Sequence, residues 1–431
     1  MSHHEDNHHH DPHKHQEGPK KKKSFRHHAR KVHGRVTKYL AERDTIFATI
    51  WVFVFIFALS LIPLNLGIMN PIKLGLKDFD FNDITYSKLG KKPDLLVDKR
   101  ITIVNIGYAD RAGLSMLIDK VATYKPKVMA LDAYFDHEGD PVQDSMMNQT
   151  FTKNKNLIAA RKLVLSGKEG DTVSIAGTYF KTAAAYAHVN LFTDSVSSVR
   201  YIEPFFIDYA HTVYNSFSAE IIKAYDTTAF NKLIKKKGKK IIINYSRKRE
   251  HYWNLDIDQI MSDNFDSSLL RDKIVLFGYV SDNRADLTDK FFTPMNERFA
   301  GKSVPDMNGV VIHANIISMA LDKSYIKKVP LWGNLLLAIV VCWLHMSFFV
   351  HYYLESHIWF HLAAKIAQVL SALFFVWLGI YLYERYRLKV DMKISIVTIV
   401  MAVDVIYFYE AWAVWMHKKF NYKTVFKPHH H

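Results

Sequence analysis

The chain has 431 residues, 49% of them apolar and 23% charged, with 57 Lys and Arg against 42 Asp and Glu and a single cysteine. That composition excludes a disordered chain, a disulfide framework and a cysteine-built zinc or iron–sulfur site. The formal charge of +15 is concentrated at the start, where the first 43 residues carry 11 basic and 5 acidic side chains, so a polybasic segment beside a membrane explains it better than nucleic-acid binding does.

Residues 1–43 hold ten histidines, among them His8, His9, His10, His13 and His15, with no apolar periodicity. This tail is expected to be disordered and cytoplasmic. Imidazoles at such density take up zinc, nickel or copper, which makes these five the candidate metal ligands; a solvated tail near anionic headgroups is the plainer reading. Residues 45–62 run for 18 positions without a charge, enough for a helix to cross about 30 Å of hydrocarbon. The run begins deep in the chain and is followed by Pro63, so it reads as a retained anchor and not as a cleaved signal peptide.

From Lys99 short β-branched runs alternate with helical stretches. Arg100–Gly107 (RITIVNIG), Val128–Ala133 (VMALDA), Ser174–Gly177, Lys240–Tyr245 (KIIINY) and Lys273–Val280 (KIVLFGYV) read as strands, while about Arg111–Tyr124 and Gly309–Leu321 read as helices. The alternation predicts one α/β domain over residues 65–330 with a mainly parallel sheet, and the unbroken apolar runs predict strands buried on both faces. Three further apolar runs follow, 331–350, 358–383 and 394–416, then a short basic tail, 417–431. Basic residues stay on the cytoplasmic side, so four spans put both tails inside and the domain outside. The loop Tyr383–Lys393 runs against that rule, because it falls outside while carrying Arg385, Arg387, Lys389 and Lys393.

The ordered pieces ITIVNIGYAD, YKPKVMALDAYF, AHVNLFTDSVSSVRYIEPFF, KIIINY, DKIVLFGYVSDNRADLTDKFFTPM and GVVIHANIISMALDKSYI resemble the second type of CHASE domain, an extracellular sensor module associated with bacterial cyclases and histidine kinases. The resemblance covers Ile101 to Pro330. It implies a sensory role and the same layout of one helix before the domain and three after it. The chain departs from the family pattern at Ser197-Ser198-Val199-Arg200, where an Asp-Gly turn is usual. The family's spans normally lead to an effector module, whereas about 15 residues follow Met416 here.

In a parallel sheet ligands collect beyond the carboxyl ends of the strands. Asp110, Asp132, Asp136 and Asp286 follow strand ends, and match acidic positions of the family pattern, so they are the candidate ligand residues together with Arg200 and Arg284; helix and turn capping is the competing role for each acid. Asp282, Asp286 and Asp289 would share a helical face, a spacing that does not suit the alternating ligands of a calcium loop. In the apolar runs Asp404, Glu410 and Lys365 stand out, since an intramembrane acid costs about 2.5–3.5 kcal/mol unless it meets a partner or water. Lys365 and Glu410 are expected at similar depth and able to pair, leaving Asp404 for a bundle contact, a proton path or another membrane protein. Nucleotide, hydrolase and zincin motifs are absent from the sequence, so neither catalysis nor a cofactor is expected. The basic run Lys235–Lys240 leads into a strand and reads as a solvated turn.

These features predict a multi-pass protein of a bacterial inner membrane with a periplasmic sensor domain that signals through a separate protein partner. A second copy of the chain is another candidate partner, beside the lipid bilayer; nucleic acid is not one. The alternatives are a structural or assembly subunit of an envelope complex, and a subunit of an ion-coupled machine using Asp404.

Overall fold

The computed structural model describes residues 38–61, 86, 97–166, 172–176, 179–193, 198–208, 210–235, 240–296, 304–355 and 357–426. The candidate metal ligands His8, His9, His10, His13 and His15 lie outside the described residues. The chain divides into two compact units, one formed by Leu64–Val329 with Val376–Asp391, the other by Met1–Pro63, Pro330–Phe375 and Met392–His431.

Seven strands build the sheet of the first unit: β1 (Ile101–Asn105), β2 (Val128–Leu131), β3 (Leu157–Ser166), β4 (Thr172–Ala176), β5 (Ala185–His188), β6 (Trp253–Asp256) and β7 (Ile274–Gly278). Their order is β6-β1-β7-β2-β3-β4, with β5 also on β3. Every pairing is parallel except β3 with β4. Alternate residues of β7 show why its sequence is apolar throughout. Ile274 and Leu276 pack with the Phe217–Tyr225 and Gly309–Leu321 helices, while Val275 and Phe277 pack with the Arg111–Thr123 and Pro141–Lys153 helices. Burying one such side chain contributes about 1.5–3 kcal/mol.

At the carboxyl end of β7 the Gly309–Leu321 helix lies hard against the backbone. A Cβ on Gly278 would stand 2.6 Å from Val310 Cβ and 2.8 Å from Cγ2, closer than atoms tolerate. Gly278→Ala is therefore expected to destabilise the domain by about 1–3 kcal/mol in urea unfolding of the solubilised chain. Val310→Ala in the same chain should recover much of that loss; parallel, additive losses would show that the helix does not rest on this glycine.

Two expectations for strands change. Of Lys240–Tyr245 only Ile241–Ile242 is a strand, pairing antiparallel with Tyr201–Ile202 outside the central sheet. Its apolar side chains, Ile241, Ile243 and Tyr245, are buried in the cluster that includes the Gly309–Leu321 helix, and an apolar run reads the same wherever it is buried. Residues Ser174–Ala176 do lie in the sheet, as part of β4, but antiparallel to the outer half of β3. No helix forms over residues 281–290, so Asp282, Asp286 and Asp289 share no helical face.

The second unit contains helices long and apolar enough to cross a membrane: Arg43–Ser60, Leu331–Glu355, Trp359–Tyr386 and Lys393–Phe420, the third continuing beyond Phe375 into residues grouped with the α/β unit. Three of them run past the carboxyl ends of the apolar windows read from sequence, to Glu355, Tyr386 and Phe420, because helical hydrogen bonding continues through the first polar residues. Ala48, Val52, Phe349, Val350, Ile406 and Tyr409 form the core of the bundle. Asp44, 1% exposed, accepts hydrogen bonds from Tyr409 Oη (2.6 Å), Thr424 Oγ1 (3.0 Å) and the Val425 amide (2.6 Å). One buried carboxylate thus joins the first helix, the last helix and the segment beyond it.

Candidate functional site

Strands β1, β7 and β2 are neighbours and parallel, so their carboxyl ends share one edge. Asn105, the last residue of β1, stitches this edge together. Its Oδ1 accepts from the Gly107 amide (3.2 Å) and the Val280 amide (3.1 Å), and its Nδ2 donates to Asp256 Oδ1 (3.0 Å). Gly107 turns the chain here with φ of 50°, a conformation that favours glycine.

The four candidate acids meet different fates on this edge. Asp110 caps the Arg111–Thr123 helix, its Oδ1 accepting from the Gly113 amide at 2.8 Å. Asp136 is exposed. Asp286 accepts from the Tyr279 hydroxyl and from the Thr288 amide (2.9 Å); the Tyr279 bond above all holds its carboxyl far below the usual range, and that bond in turn raises the Tyr279 hydroxyl. Tyr279 also meets Tyr108, which is 82% exposed, at 2.9 Å. Asp132, half-buried, is the one whose carboxyl is raised well above the carboxylate range, by desolvation and then by the charge of Asp289.

Asp289 is the residue that sequence reasoning passed over. It sits in the left-handed region, φ 51°, and receives the amide of Gly309 on both its carbonyl (3.0 Å) and its Oδ2 (3.2 Å). The carboxylate therefore lies at the N-terminus of the Gly309–Leu321 helix, where the helix dipole favours negative charge. A Cβ at position 309 would stand 2.9 Å from that Oδ2, so glycine is what admits the acid. Asp289 keeps solvent access, and desolvation by surrounding protein, opposed by the Gly309 bond, pushes its carboxyl up to about 6. Like charges that act on one another favour a proton or a cation at this edge. Among the described residues no three His, Cys, Asp or Glu side chains are grouped to hold a metal ion. Only the spacing Asp-x3-Asp-x2-Asp marks Asp289 in the sequence, and that spacing says nothing of Asp132.

The arginines do not join these acids in one network. Arg284 is exposed and forms no ion pair among the described residues. Arg200 is half-buried, with its carbonyl taking the Ile243 amide (3.0 Å), and its charge acts on Tyr245, beside Asp306. Asp306, bound by Thr293 Oγ1 (2.5 Å) and the Thr293 amide (2.8 Å), is nevertheless pushed up to about 6 by desolvation. Ion pairs near this edge join other residues, Arg249 to Asp282 (2.6 Å) and Arg111 to Asp144.

Among the intramembrane candidates, Glu410 accepts from the Tyr353 hydroxyl and does not pair with Lys365. The contacts between the third and fourth helices explain the correction. Gln368 Nε2 donates to the carbonyls of Ile399 (3.0 Å) and Val400 (2.9 Å), and His361 Nε2 lies 3.2 Å from Tyr407 Oη. At 1.5 Å per residue this antiparallel register sets Lys365 within about 3 Å of the depth of Asp404, and about 11 Å from that of Glu410. Lys365 and Asp404 are both exposed on their helices, and neither forms an ion pair among the described residues.

A mainly parallel α/β unit with an acid-bearing carboxyl edge, accompanied in the chain by helices able to cross a membrane, marks a membrane protein with a ligand-accessible α/β domain. The chain belongs to the CHASE2 domain family: the family model matches residues 80–348, more than half its length. CHASE2 is a sensory extracellular domain. No curated protein and no solved structure matches the chain.

Proposed function

We propose that the protein is a non-catalytic receptor of a bacterial inner membrane, anchored by one helix before its periplasmic domain and three after it. The domain detects a ligand or a state of the envelope, and a separate membrane or cytoplasmic partner reads the result. The observation that carries this reading is the Asp289 carboxylate held on the Gly309 amide at the carboxyl edge of the sheet, with its charge acting on Asp132. Asp289 sits on the N-terminus of the Gly309–Leu321 helix, and the chain runs from that helix through residues 322–330 into the Leu331–Glu355 helix. A cation, amine or proton that changes the charge of these acids changes what this helix end binds, and with it the start of the path to the membrane.

Four spans also agree with one detail of pairing. Lys327–Lys328 and Leu388–Lys389 form a parallel strand pair, which keeps both segments on one side of the bilayer, as two crossings between them require. The basic loop that offends the charge rule is thereby held beside the domain, a constraint stronger than charge bias.

Affinity capture of the full-length chain from cross-linked native membranes tests the proposal. A stoichiometric partner that carries a signalling or regulatory module is expected, with recovery altered by Asp289→Asn. Recovery of envelope structural subunits only, unchanged by that substitution, would replace the receptor reading with an assembly role.

A further inference from the structure

Toward the β4 side of the same sheet, β3 and β5 hold basic groups that lack an acceptor. Arg161 on β3 and His188 at the end of β5 are register partners in a parallel pair, and the Val189 amide donates to the Arg161 carbonyl at 3.0 Å. His188 is 1% exposed, and neither of its ring nitrogens has a hydrogen-bond partner among the described residues. The buried Nε of Arg161 also has none. The guanidinium lies over the ring of Tyr214 at 5.1 Å and forms no ion pair among the described residues. The carboxylate that acts on it at longer range, Glu220, is already bound by Asn215 Nδ2 (2.6 Å) and Lys223 Nζ (2.9 Å).

Further groups of the same character close the place. An isolated parallel bridge joins His188 to Ser216, the N-cap of the nine-residue Phe217–Tyr225 helix, so the positive end of that helix adjoins the histidine. Ser218, in the first turn, meets His313 Nδ1 at 2.8 Å, and the charge of His188 acts on His313 in turn. Phe192 packs at 6.2 Å from the His188 ring and Phe217 at 5.1 Å from the His313 ring. Burial, with Arg161 alongside, holds the His188 imidazole down to about 4, so the ring is neutral at neutral pH.

A buried polar group without a partner is rare in a native protein, and a guanidinium cannot discard its proton to escape the cost. Donors gathered on a helix N-terminus, with no carboxylate committed to them, have the chemistry of an anion site. We infer that Arg161 and His188, with the first turn of the Phe217–Tyr225 helix, bind a small anionic group, a carboxylate or a phosphate. Arg161 supplies the charge and a planar fork of donors, and His188 donates from whichever nitrogen faces the ligand. The aromatic rings around these groups restrict the ligand to a small one. This site shares no residue with the acidic edge described above, and it stands whether or not the receptor reading does, since a structural anion would occupy it equally.

The test is the thermal midpoint of the solubilised full-length chain as acetate or inorganic phosphate replaces chloride at constant ionic strength. One of the two is expected to raise the midpoint saturably, with half-saturation below about 1 mM, and which one does so separates carboxylate from phosphate. Arg161→Gln and His188→Gln should each weaken that half-saturation at least tenfold, and Arg161→Lys should weaken it less. Should Arg161→Gln not fold, calorimetric titration of the unaltered chain and of His188→Gln carries the same comparison. Absence of any shift beyond that of chloride, or a shift of equal size and affinity in the variants, would overturn the assignment.

Discussion

Asp404→Lys is expected to cut the yield of inserted, solubilised protein several-fold and to lower its thermal midpoint, and adding Lys365→Asp in the same chain is expected to restore most of both. The reason is depth. An unpaired charge at mid-membrane costs about 2.5–3.5 kcal/mol, and the Gln368 and His361 contacts set Lys365 and Asp404 on facing stripes of the third and fourth helices. Hydrocarbon in place of water on the exposed side leaves each charge no better partner than the other. Asp404→Glu and Lys365→Arg should be tolerated. If the double reversal is no better than the worse single change, the counter-charge belongs to another molecule, and the two residues do not pair within the chain.

A second large effect concerns pH. His188 and His313 are 1% and 3% exposed, and burial above all pushes them down to about 4 and about 3, whereas an unfolded histidine titrates near 6.5. As pH falls below 6.5 the unfolded chain takes protons that the folded domain refuses, so stability is lost from 6.5 down toward 4, at up to about 1.4 kcal/mol per pH unit for each histidine. Asp289 and Asp306, raised to about 6, act in the opposite direction. The folded domain takes up their protons first, so they return stability as pH falls from about 6 toward 4. Both keep solvent access, which screens their effect and makes it the smaller one. Asp132, raised well above the carboxylate range, acts with these two acids, so urea unfolding at pH 7, 5.5 and 4.5 in the native sequence reads the balance of the opposed groups. Relative to it, stability should fall less with pH in His313→Gln and more in Asp289→Asn. Three parallel curves would show that none of these groups is shifted on folding.

The strands that the sequence displays are those buried on both faces. β1, β2 and β7 are apolar at nearly every position because each side chain meets a helix layer. β6, with the sequence WNLD and only Leu255 fully buried, is an edge strand whose pattern resembles a loop. Lys240–Tyr245 misleads in the other direction, because apolar side chains beneath a helix look like those of a sheet. Strand ends likewise mark Asp110, Asp132 and Asp286 as residues of one edge, but they do not say what each will touch. Capping took Asp110 and a tyrosine took Asp286. That the charge of Asp289 reaches Asp132, and that Arg161 stands in register with His188, depends on strand order and on where a helix begins, and neither is written in local sequence. Lys365 lies nearer the depth of Asp404 than of Glu410; depth counted from chain ends ignores the register that Gln368 and His361 set between the helices.

The strand pair of Lys327–Lys328 with Leu388–Lys389 also bears on how the protein is made. The Lys327 amide donates to the Arg387 carbonyl at 2.8 Å and the Val329 amide to the Lys389 carbonyl at 2.9 Å, while Tyr383 packs edge-on to Tyr86 with ring centroids 5.6 Å apart. A ribosome that has finished residue 330 has therefore not yet delivered the last piece of the α/β unit. That piece arrives only with the end of the second of two helices apolar enough to cross a membrane and the residues just beyond it. Completion of the domain waits on synthesis of both, and a fragment ending at Pro330 would display the backbone edge of Lys327–Lys328 with no strand to cover it.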